Sequence, residues 1–395
     1  MRSAVTVGSL ALAAAVALAP AVASPAGAMT APSPTPTPTP TPTPSATPSE
    51  DVLASTVVRT YSYGRQSAHQ RMDVWWQPDA GRRPGVFVIH GGWWSGGDKK
   101  YMTEVTRMYA SMGYTVFNIN YRLSQEAPWP AQRTDTLSAI ATARRHADLF
   151  SFDPDRYVVI GFSAGGHLAT AVGTYKDGIP GLRGVVGVSP VVSPLTAYSD
   201  GDEGADFEQR KLRQAAIALA GHCRPTGACA KVWSSMEVPW HASAHDAPVL
   251  TVHSKDEFVP AYQSELLKEQ LNQVGVAMNI RVVPGINHSA PLYREPGVAT
   301  GIAEWVAGKL APPAPPRTDA QQQTSAQRKT ATQRNASAQR NTAIQRKTTV
   351  PRKTAVQRDT SAERDTSSER KTLAEQRAAI HLPGLHKVSA RRSVF

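Results

Sequence analysis

Short apolar runs, rich in β-branched and aromatic residues, recur along the middle of the chain and predict strands. Longer stretches between them place apolar residues three or four positions apart, which is typical of helices that bury one face. The predicted strands are 56–63, 71–76, 85–90, 115–120, 156–161, 182–189, 248–253 and 279–283. The predicted helices are 101–112, 131–149, 164–174, 261–274 and 297–309.

The order of these elements predicts an α/β fold. The first two strands have no helix between them, whereas strands and helices alternate afterwards. This order indicates a mostly parallel eight-stranded sheet that begins with an antiparallel pair and carries helices on both faces. We expect one large domain at 51–310, in which an insertion at 191–246 forms a small cap. Ligands of such a sheet bind beyond the carboxyl ends of the strands.

The N-terminal flank reads as an export signal and a spacer. Residues 1–23 combine Arg2, an apolar run and the small-x-small sequence Ala21-Val22-Ala23, with a second candidate cleavage point at residue 28. The run ends at Pro20 and is shorter than a membrane span, so the mature chain is expected to have no transmembrane helix. Residues 24–50 are rich in Pro and Thr and predict a stiff linker. We therefore expect a secreted or cell-wall-associated protein.

The C-terminal flank, 311–395, predicts a disordered basic tail. Arginine recurs every six residues from 328 to 370, a step that forms no single helical stripe and includes few apolar residues. The tail holds 17 Lys and Arg against 6 Asp and Glu, a net charge of +11 out of +12 for the whole chain. The high charge therefore indicates nothing about the substrate. Residues 317–392 are either solvated or bind an anionic surface, with no specific nucleic-acid partner.

The sequence Gly161-Phe162-Ser163-Ala164-Gly165 follows a predicted strand and precedes a predicted helix. A serine in a tight strand-to-helix turn needs small residues two positions away on each side, which explains the two glycines. The amide of Ala164, at the helix start, is a candidate donor to a developing oxyanion. The pattern predicts a nucleophilic Ser163, the alternative being a small-residue turn with a solvated serine.

A nucleophilic serine needs a histidine base and a carboxylate that orients it. In this type of fold both follow the serine, on loops after late strands. His288 fits the base, because it lies on the loop that leaves the strand 279–283. Asp256, which follows the strand 248–253, is the predicted acid, with the neighbouring Glu257 as the alternative.

The run His90-Gly91-Gly92-Trp93-Trp94 follows the third predicted strand, where this architecture supplies the rest of the oxyanion hole. The amides of Gly92 and Trp93 are the predicted donors, together with that of Ala164. His90 and Gly91 are expected to orient the loop. Trp93 and Trp94 are predicted to bind substrate as apolar walls, although Trp94 could instead pack beneath the loop.

The predicted cap contains both cysteines of the chain, Cys223 and Cys229. Their short separation and the expected export predict a disulfide that stiffens the cap. Four acidic residues nearby could suggest Ca²⁺, but their spacing is not a complete loop motif, so we expect a solvated acidic turn and no metal site. These residues are Asp200, Asp202, Glu203 and Asp206.

From about 83 to 310 the chain resembles α/β-hydrolase esterases of the hormone-sensitive-lipase and feruloyl-esterase (BD-FAE-like) type. The resemblance rests on several motifs in order, and the aromatic residues after the two glycines also resemble the loop of arylformamidases. These motifs are His90 to Trp94, Gly97-Asp98-Lys99, Tyr121-Arg122-Leu123, Asp135, Gly161 to Gly166, Asp256 to Pro260 and His288. The acid loop departs from the common His-Gly-x-x-Asp pattern, because His253-Ser254-Lys255-Asp256 is one position short.

The resemblance implies a carboxylic ester hydrolase that works through an acyl-enzyme and needs no metal or organic cofactor. We expect a secreted serine esterase acting on small-acyl or aromatic-acyl esters, either free or linked to a polymer. Two alternatives stay open from the sequence. One is an amidase of the arylformamidase kind, and the other is a non-catalytic protein that binds surfaces through its basic tail.

Overall fold

The computed structural model of this chain describes residues 48–78 and 81–312. The predicted signal peptide (1–23), nearly all of the predicted linker (24–50) and nearly all of the predicted tail (311–395) lie outside the described residues. Within the described part, no helix is both long enough and apolar enough to span a membrane.

The described residues form an eight-stranded sheet with the order β1-β2-β4-β3-β5-β6-β7-β8. Strands β1 and β2, and β2 and β4, pair antiparallel, whereas every other pair is parallel. The predicted fold class is confirmed, and each predicted strand is present. The strands are β1 (Val57–Ser62), β2 (Arg71–Trp76), β3 (Arg83–Ile89), β4 (Thr115–Ile119), β5 (Phe152–Phe162), β6 (Leu182–Val188), β7 (Val249–Ser254) and β8 (Met278–Val283).

Helices lie between the parallel strands and in the predicted cap. The five helices predicted from periodicity are present as α2, α3, α4, α8 and α10, with ends shifted by a few residues. The helices are α1 (Glu50–Ala54), α2 (Thr103–Ser111), α3 (Ala131–Arg145), α4 (Ala164–Gly173), α5 (Pro194–Asp200), α6 (Phe207–Leu219), α7 (Ala230–Met236), α8 (Tyr262–Gln273), α9 (Ala290–Tyr293) and α10 (Val298–Leu310).

The central strands are buried on both faces, as expected for a parallel sheet covered by helices. Every residue of β3 is buried, and its side chains alternate between the two sides of the sheet. Phe87 and Ile89 belong to one apolar cluster, whereas Val86 and Val88 belong to the other. Phe87 stacks on Phe117 of β4 with ring centroids 4.5 Å apart. This packing fixes the carboxyl ends of the strands, where the loops of the candidate site begin.

The predicted cap contains α5, α6 and α7, and Cys223 and Cys229 are joined there in a disulfide. Three of the four nearby acidic residues accept hydrogen bonds from groups close to them. Asp206 caps α6 by accepting from the amide of Gln209 at 2.7 Å, and Asp202 accepts from the amide of Gly204 at 3.1 Å. Asp200 accepts a hydrogen bond from the Tyr262 hydroxyl.

Glu237 joins the two ends of the predicted cap through a buried carboxylate. It accepts hydrogen bonds from the Ser193 hydroxyl at 2.6 Å and from the amide of Leu195 at 2.7 Å, near the start of α5. Burial raises the pKa of Glu237 to about 7, although the hydrogen bonds from Ser193 and Leu195 act in the opposite direction. The stabilising contribution of this carboxyl is therefore complete below about pH 4.5 and is lost as the pH rises through about 7.

We expect Glu237→Gln, which stays neutral, to match the thermal stability of the wild type at pH 5 and to exceed it at pH 8 by about 5 °C. Melting curves of both proteins between pH 5 and pH 8 test this. Glu208→Gln, at an exposed position on α6, is the matched control, and its melting temperature should stay close to that of the wild type from pH 5 to pH 8. A difference for Glu237→Gln that does not vary with pH would contradict the assignment.

Candidate active site

Ser163 lies in a strained turn between β5 and α4. Its backbone is left-handed, with φ 52° and ψ −116°, which is rare for a residue other than glycine. A Cβ on Gly161 would lie 2.0 Å from the carbonyl oxygen of Gly165, and a Cβ on Gly165 would lie 2.4 Å from that of His90. Only glycine fits at these two positions. The turn therefore places Ser163 at the carboxyl edge of the sheet, and it can form because the residues two positions away on each side have no side chains.

His288 reaches Ser163 from the loop after β8. Its Nε2 lies 2.8 Å from the Ser163 Oγ, and its Nδ1 lies 2.5 Å from Oε2 of Glu257. Because a carboxylate only accepts, the ring proton is on Nδ1, and Nε2 is free to accept the Ser163 proton. The structure thus brings together the predicted nucleophile and base, and it supplies a carboxylate at the other ring nitrogen.

The carboxylate at His288 belongs to Glu257, so the choice of Asp256 as the acid is wrong for this structure. The amides of Lys255 and Asp256 donate to the carbonyls of Val283 and Gly285, which extends the pairing of β7 and β8 beyond the strands. Asp256 is held in this extension with its side chain exposed to solvent, whereas Glu257 turns inward and is buried.

The motif itself contained the signal for this correction. Glu257 is the fourth residue after His253, which is the spacing from His to Asp in His-Gly-x-x-Asp. The sequence is therefore not one position short. It has Glu in the position of the acid, and the preference for Asp placed the carboxylate one residue too early.

Glu257 remains ionised although it is buried. Burial alone raises the pKa of its carboxyl, but hydrogen bonds from His253 and His288 outweigh burial and leave the pKa below its usual value. Oε1 also accepts from the amide of Ser254 at 2.9 Å. An ionised Glu257 can orient His288 and stabilise the imidazolium that forms when His288 takes a proton.

The loop after β3 packs directly against the nucleophile. A Cβ on Gly91 would lie 3.1 Å from Cβ of Ser163, so the loop backbone approaches the serine closely. Burial lowers the pKa of His90 to about 4, and the neutral ring places Nδ1 2.7 Å from the carbonyl oxygen of Gly91. These contacts agree with an orienting role for His90 and Gly91. The amides of Gly92, Trp93 and Ala164 stay the predicted oxyanion donors.

Two residues that directly follow β4, Asn120 and Tyr121, hold the loop after β3, a role that the sequence did not indicate. Asn120 accepts from the amide of Lys99 at 2.5 Å and donates to Asp98 at 2.9 Å. The Tyr121 ring stacks on His90 with centroids 4.5 Å apart, and its hydroxyl donates to the His90 carbonyl at 3.1 Å. The Gly97-Asp98-Lys99 and Tyr121 motifs are therefore parts of one support for the loop.

The two tryptophans of the loop have different environments. Trp94 has no exposed surface and packs against His167, so its predicted role in substrate binding is wrong, and the alternative that it packs beneath the loop holds. Trp93 is partly exposed and stacks on Phe258 with centroids 5.2 Å apart. The Phe258 ring in turn contacts the His288 ring, and their centroids are 4.2 Å apart.

The cap contributes one cation to this group of rings. Lys211 of α6 places its Nζ 4.6 Å from the centre of the Trp93 ring, which is within the range of a cation–π contact. Lys211, Trp93, Phe258 and His288 therefore form a column that joins the cap, the oxyanion loop, the acid loop and the base loop. Residues of the described part show no group of metal-ligating side chains that could hold an ion.

The family model named BD-FAE matches residues 72–271, about half of the 395-residue chain. The chain belongs to the BD-FAE family. The matched span includes β2 to β7, the elbow at Ser163, the loop at Gly91 and the acid Glu257, whereas His288 follows it. The resemblance predicted from the sequence motifs is confirmed at the level of the family.

This BD-FAE chain is similar to two mycobacterial proteins. It is 28% identical over 221 residues to the probable carboxylic ester hydrolase LipM of Mycobacterium tuberculosis, covering 54% of this chain and 51% of LipM. It is also 28% identical over 261 residues to the esterase LipC of the same organism, covering 62% of each chain. The chain thus spans between about half and three fifths of the length of these relatives.

Solved structures agree in fold. A truncated carbohydrate esterase from gut microbiota superimposes with a TM-score of 0.56 at 21% identity, over 67% of this chain and 100% of that chain. Esterase B from Lactobacillus Rhamnosis gives 0.55 at 21% identity, over 66% of this chain and 89% of that chain. At these identities the likeness shows the fold.

We expect Glu257→Gln to lower kcat for ester hydrolysis by roughly 10³- to 10⁴-fold, because a neutral amide neither fixes the His288 tautomer nor stabilises an imidazolium. Asp256→Asn is the matched control, since it removes the neighbouring charge from an exposed side chain, and it should change kcat less than about threefold. Steady-state kinetics on a chromogenic ester measure both. A larger loss in Asp256→Asn than in Glu257→Gln would return the acid role to Asp256.

Proposed function

We propose that this protein is a serine esterase that hydrolyses carboxylic esters through an acyl-enzyme intermediate. The observation that carries the proposal is the continuous set of contacts from Ser163 Oγ to His288 Nε2 at 2.8 Å and from His288 Nδ1 to Glu257 at 2.5 Å. A serine, a neutral imidazole and an ionised carboxylate in this order are the groups that acyl transfer to a serine requires. The esterase names of the mycobacterial relatives agree with this chemistry.

In the proposed reaction, Ser163 Oγ attacks the acyl carbon of the ester while His288 Nε2 takes the hydroxyl proton. The carbonyl oxygen becomes an oxyanion, and the predicted donors are the amides of Gly92, Trp93 and Ala164. Collapse of the tetrahedral intermediate breaks the bond to the alcohol, which receives the proton from His288. Water then attacks the acyl-enzyme, His288 takes its proton, and the acid leaves as the proton returns to Ser163.

Trp93 and Phe258 support a preference for compact or planar acyl groups. Their rings stack beside His288, so they present an apolar surface next to the reacting carbon. The cap adds Lys211 to the same surface. We therefore propose small-acyl or aromatic-acyl esters as the substrates, either free or attached to a polymer.

The test is hydrolysis of p-nitrophenyl esters from acetyl to palmitoyl by the purified protein and by Ser163→Ala. We expect the rate to fall as the acyl chain lengthens, and we expect Ser163→Ala to lower kcat by about 10⁴-fold or more with an unchanged melting curve. Retained hydrolysis by Ser163→Ala would overturn the nucleophile. Cleavage of a formanilide, with no cleavage of any ester, would overturn the esterase proposal in favour of an amidase.

We further propose that the mature protein is exported. The disulfide between Cys223 and Cys229 supports this, because disulfides persist in oxidising compartments. We expect the protein recovered from the medium of a secreting bacterial host to begin after residue 23 or residue 28, as measured by intact mass. Recovery from the cytoplasm alone, with residues 1–23 retained, would contradict this proposal.

A further inference from the structure

A second histidine contacts the acid on the side opposite to His288. His253 is the fifth residue of β7 and is fully buried. Its Nδ1 lies 3.3 Å from Oε1 of Glu257, whereas His288 contacts Oε2. The two carboxylate oxygens of Glu257 therefore each face a different imidazole.

The position of the proton on His253 follows from its neighbours. Nδ1 faces two acceptors, the carbonyl oxygen of Val259 at 3.2 Å and Oε1 of Glu257 at 3.3 Å. Nδ1 must therefore carry the proton, because an unprotonated nitrogen would face two oxygen lone pairs. Nε2 lies 2.8 Å from the hydroxyl of Ser264 on α8, which can donate to it. The ring of His253 is thus oriented so that its Nδ1–H points towards the acid.

A buried carboxylate needs such donors to remain charged. Burial favours the protonated form of Glu257, and a protonated carboxyl would no longer hold the Nδ1 proton of His288 as a charged acceptor. The titratable groups that face Glu257 are His253 and His288, while the adjacent Lys255 and Asp256 are exposed to solvent. The amide of Ser254 is a third donor.

We propose that His253 is a positioning residue for catalysis. Its Nδ1–H donates a hydrogen bond to Oε1 of Glu257, and through Glu257 it acts on His288. This proposal rests on the proposed esterase function. The effect on pH dependence has a definite sign. Loss of the Nδ1–H of His253 removes a partial positive charge next to Glu257 and His288. These two residues, taken together, then bind a proton at a higher pH than in the wild type. The acid limb of the pH profile of kcat/KM should then move to higher pH.

Two amide variants separate the donor from the rest of the ring. In His253→Asn, the side-chain NH₂ occupies a place close to Nδ1 and can still donate to Glu257. In His253→Gln, the amide reaches the place of Nε2 near Ser264 and leaves Glu257 without this donor. Both variants replace the imidazole with an amide, and His253→Asn removes more volume from the core because its side chain is one methylene shorter. A purely structural role would therefore disturb His253→Asn at least as much as His253→Gln, which is the reverse of the order expected for loss of the donor.

The measurement is the pH profile of kcat/KM for p-nitrophenyl acetate between pH 5 and pH 9, with melting curves for each protein. We expect His253→Gln to move the acid limb upward by about 0.5–1 pH unit and to lower kcat about tenfold, with little change in KM. We expect His253→Asn to keep the wild-type acid limb. Identical profiles for the two variants, or an unshifted limb in folded His253→Gln, would overturn the proposal.

A measurement on the wild-type protein keeps the proposal falsifiable where a variant does not fold. Nitrogen-15 NMR of the labelled full chain reports which ring nitrogen of His253 is protonated. We expect a proton on Nδ1 across pH 5–9 and a shift of this resonance in Glu257→Gln, and a proton on Nε2 alone would overturn the proposal. Failure of the esterase proposal looks different, because the wild type would then hydrolyse no ester or Ser163→Ala would remain active.

Discussion

The left-handed backbone at Ser163 depends on how closely β5, α4 and the end of β3 approach one another. The Cα of Gly165 faces the carbonyl oxygens of Ile89 and His90, and a Cβ there would lie 2.4 Å from either. The amide of Ser163 donates to the Val188 carbonyl of β6 at 2.8 Å, which extends the sheet to the turn. The strained backbone of Ser163 is therefore held by the close packing of α4 against the end of β3 and by the hydrogen bond to β6.

This constraint also determines where the other groups lie. Because β3, β5, β7 and β8 are parallel, their carboxyl ends open on the same edge of the sheet, and the loops that follow them converge on the elbow. The acid and base loops are further joined, since the Ser254 hydroxyl donates to the Asn287 carbonyl at 2.5 Å. The loops that carry Glu257 and His288 are therefore connected both by this contact and by the hydrogen bond between the two side chains. Their hydrogen bonds form in a buried setting, where an unpaired carboxylate would be costly.

The sheet, the turn at Ser163 and the position of His288 could be predicted from the sequence, because each is indicated by a few neighbouring residues. Apolar runs mark buried strands, and the glycines around Ser163 report a steric need that is local. The acid was harder to predict. Asp256 and Glu257 are adjacent, and which of them turns inward depends on how far β7 and β8 continue to pair beyond their strands. That pairing joins residues about 30 positions apart, so the composition near residue 256 does not indicate it, and the only local signal is the spacing of four residues from His253 to Glu257.

The environments of Trp93 and Trp94 could not be predicted from the sequence for a similar reason. Both residues have left-handed backbones, with φ 58° at Trp93 and 55° at Trp94, and the turn sends one side chain outward and the other into the core. Trp94 is buried against His167 of α4, which is a contact between residues far apart in the sequence. Trp93, by contrast, lies between Phe258 of the acid loop and Lys211 of the cap. A displacement of the cap would therefore change the environment of Phe258 and, through it, of His288. In this protein the predicted cap and the ring of His288 are thus linked by a continuous series of side-chain contacts through the rings of Trp93 and Phe258.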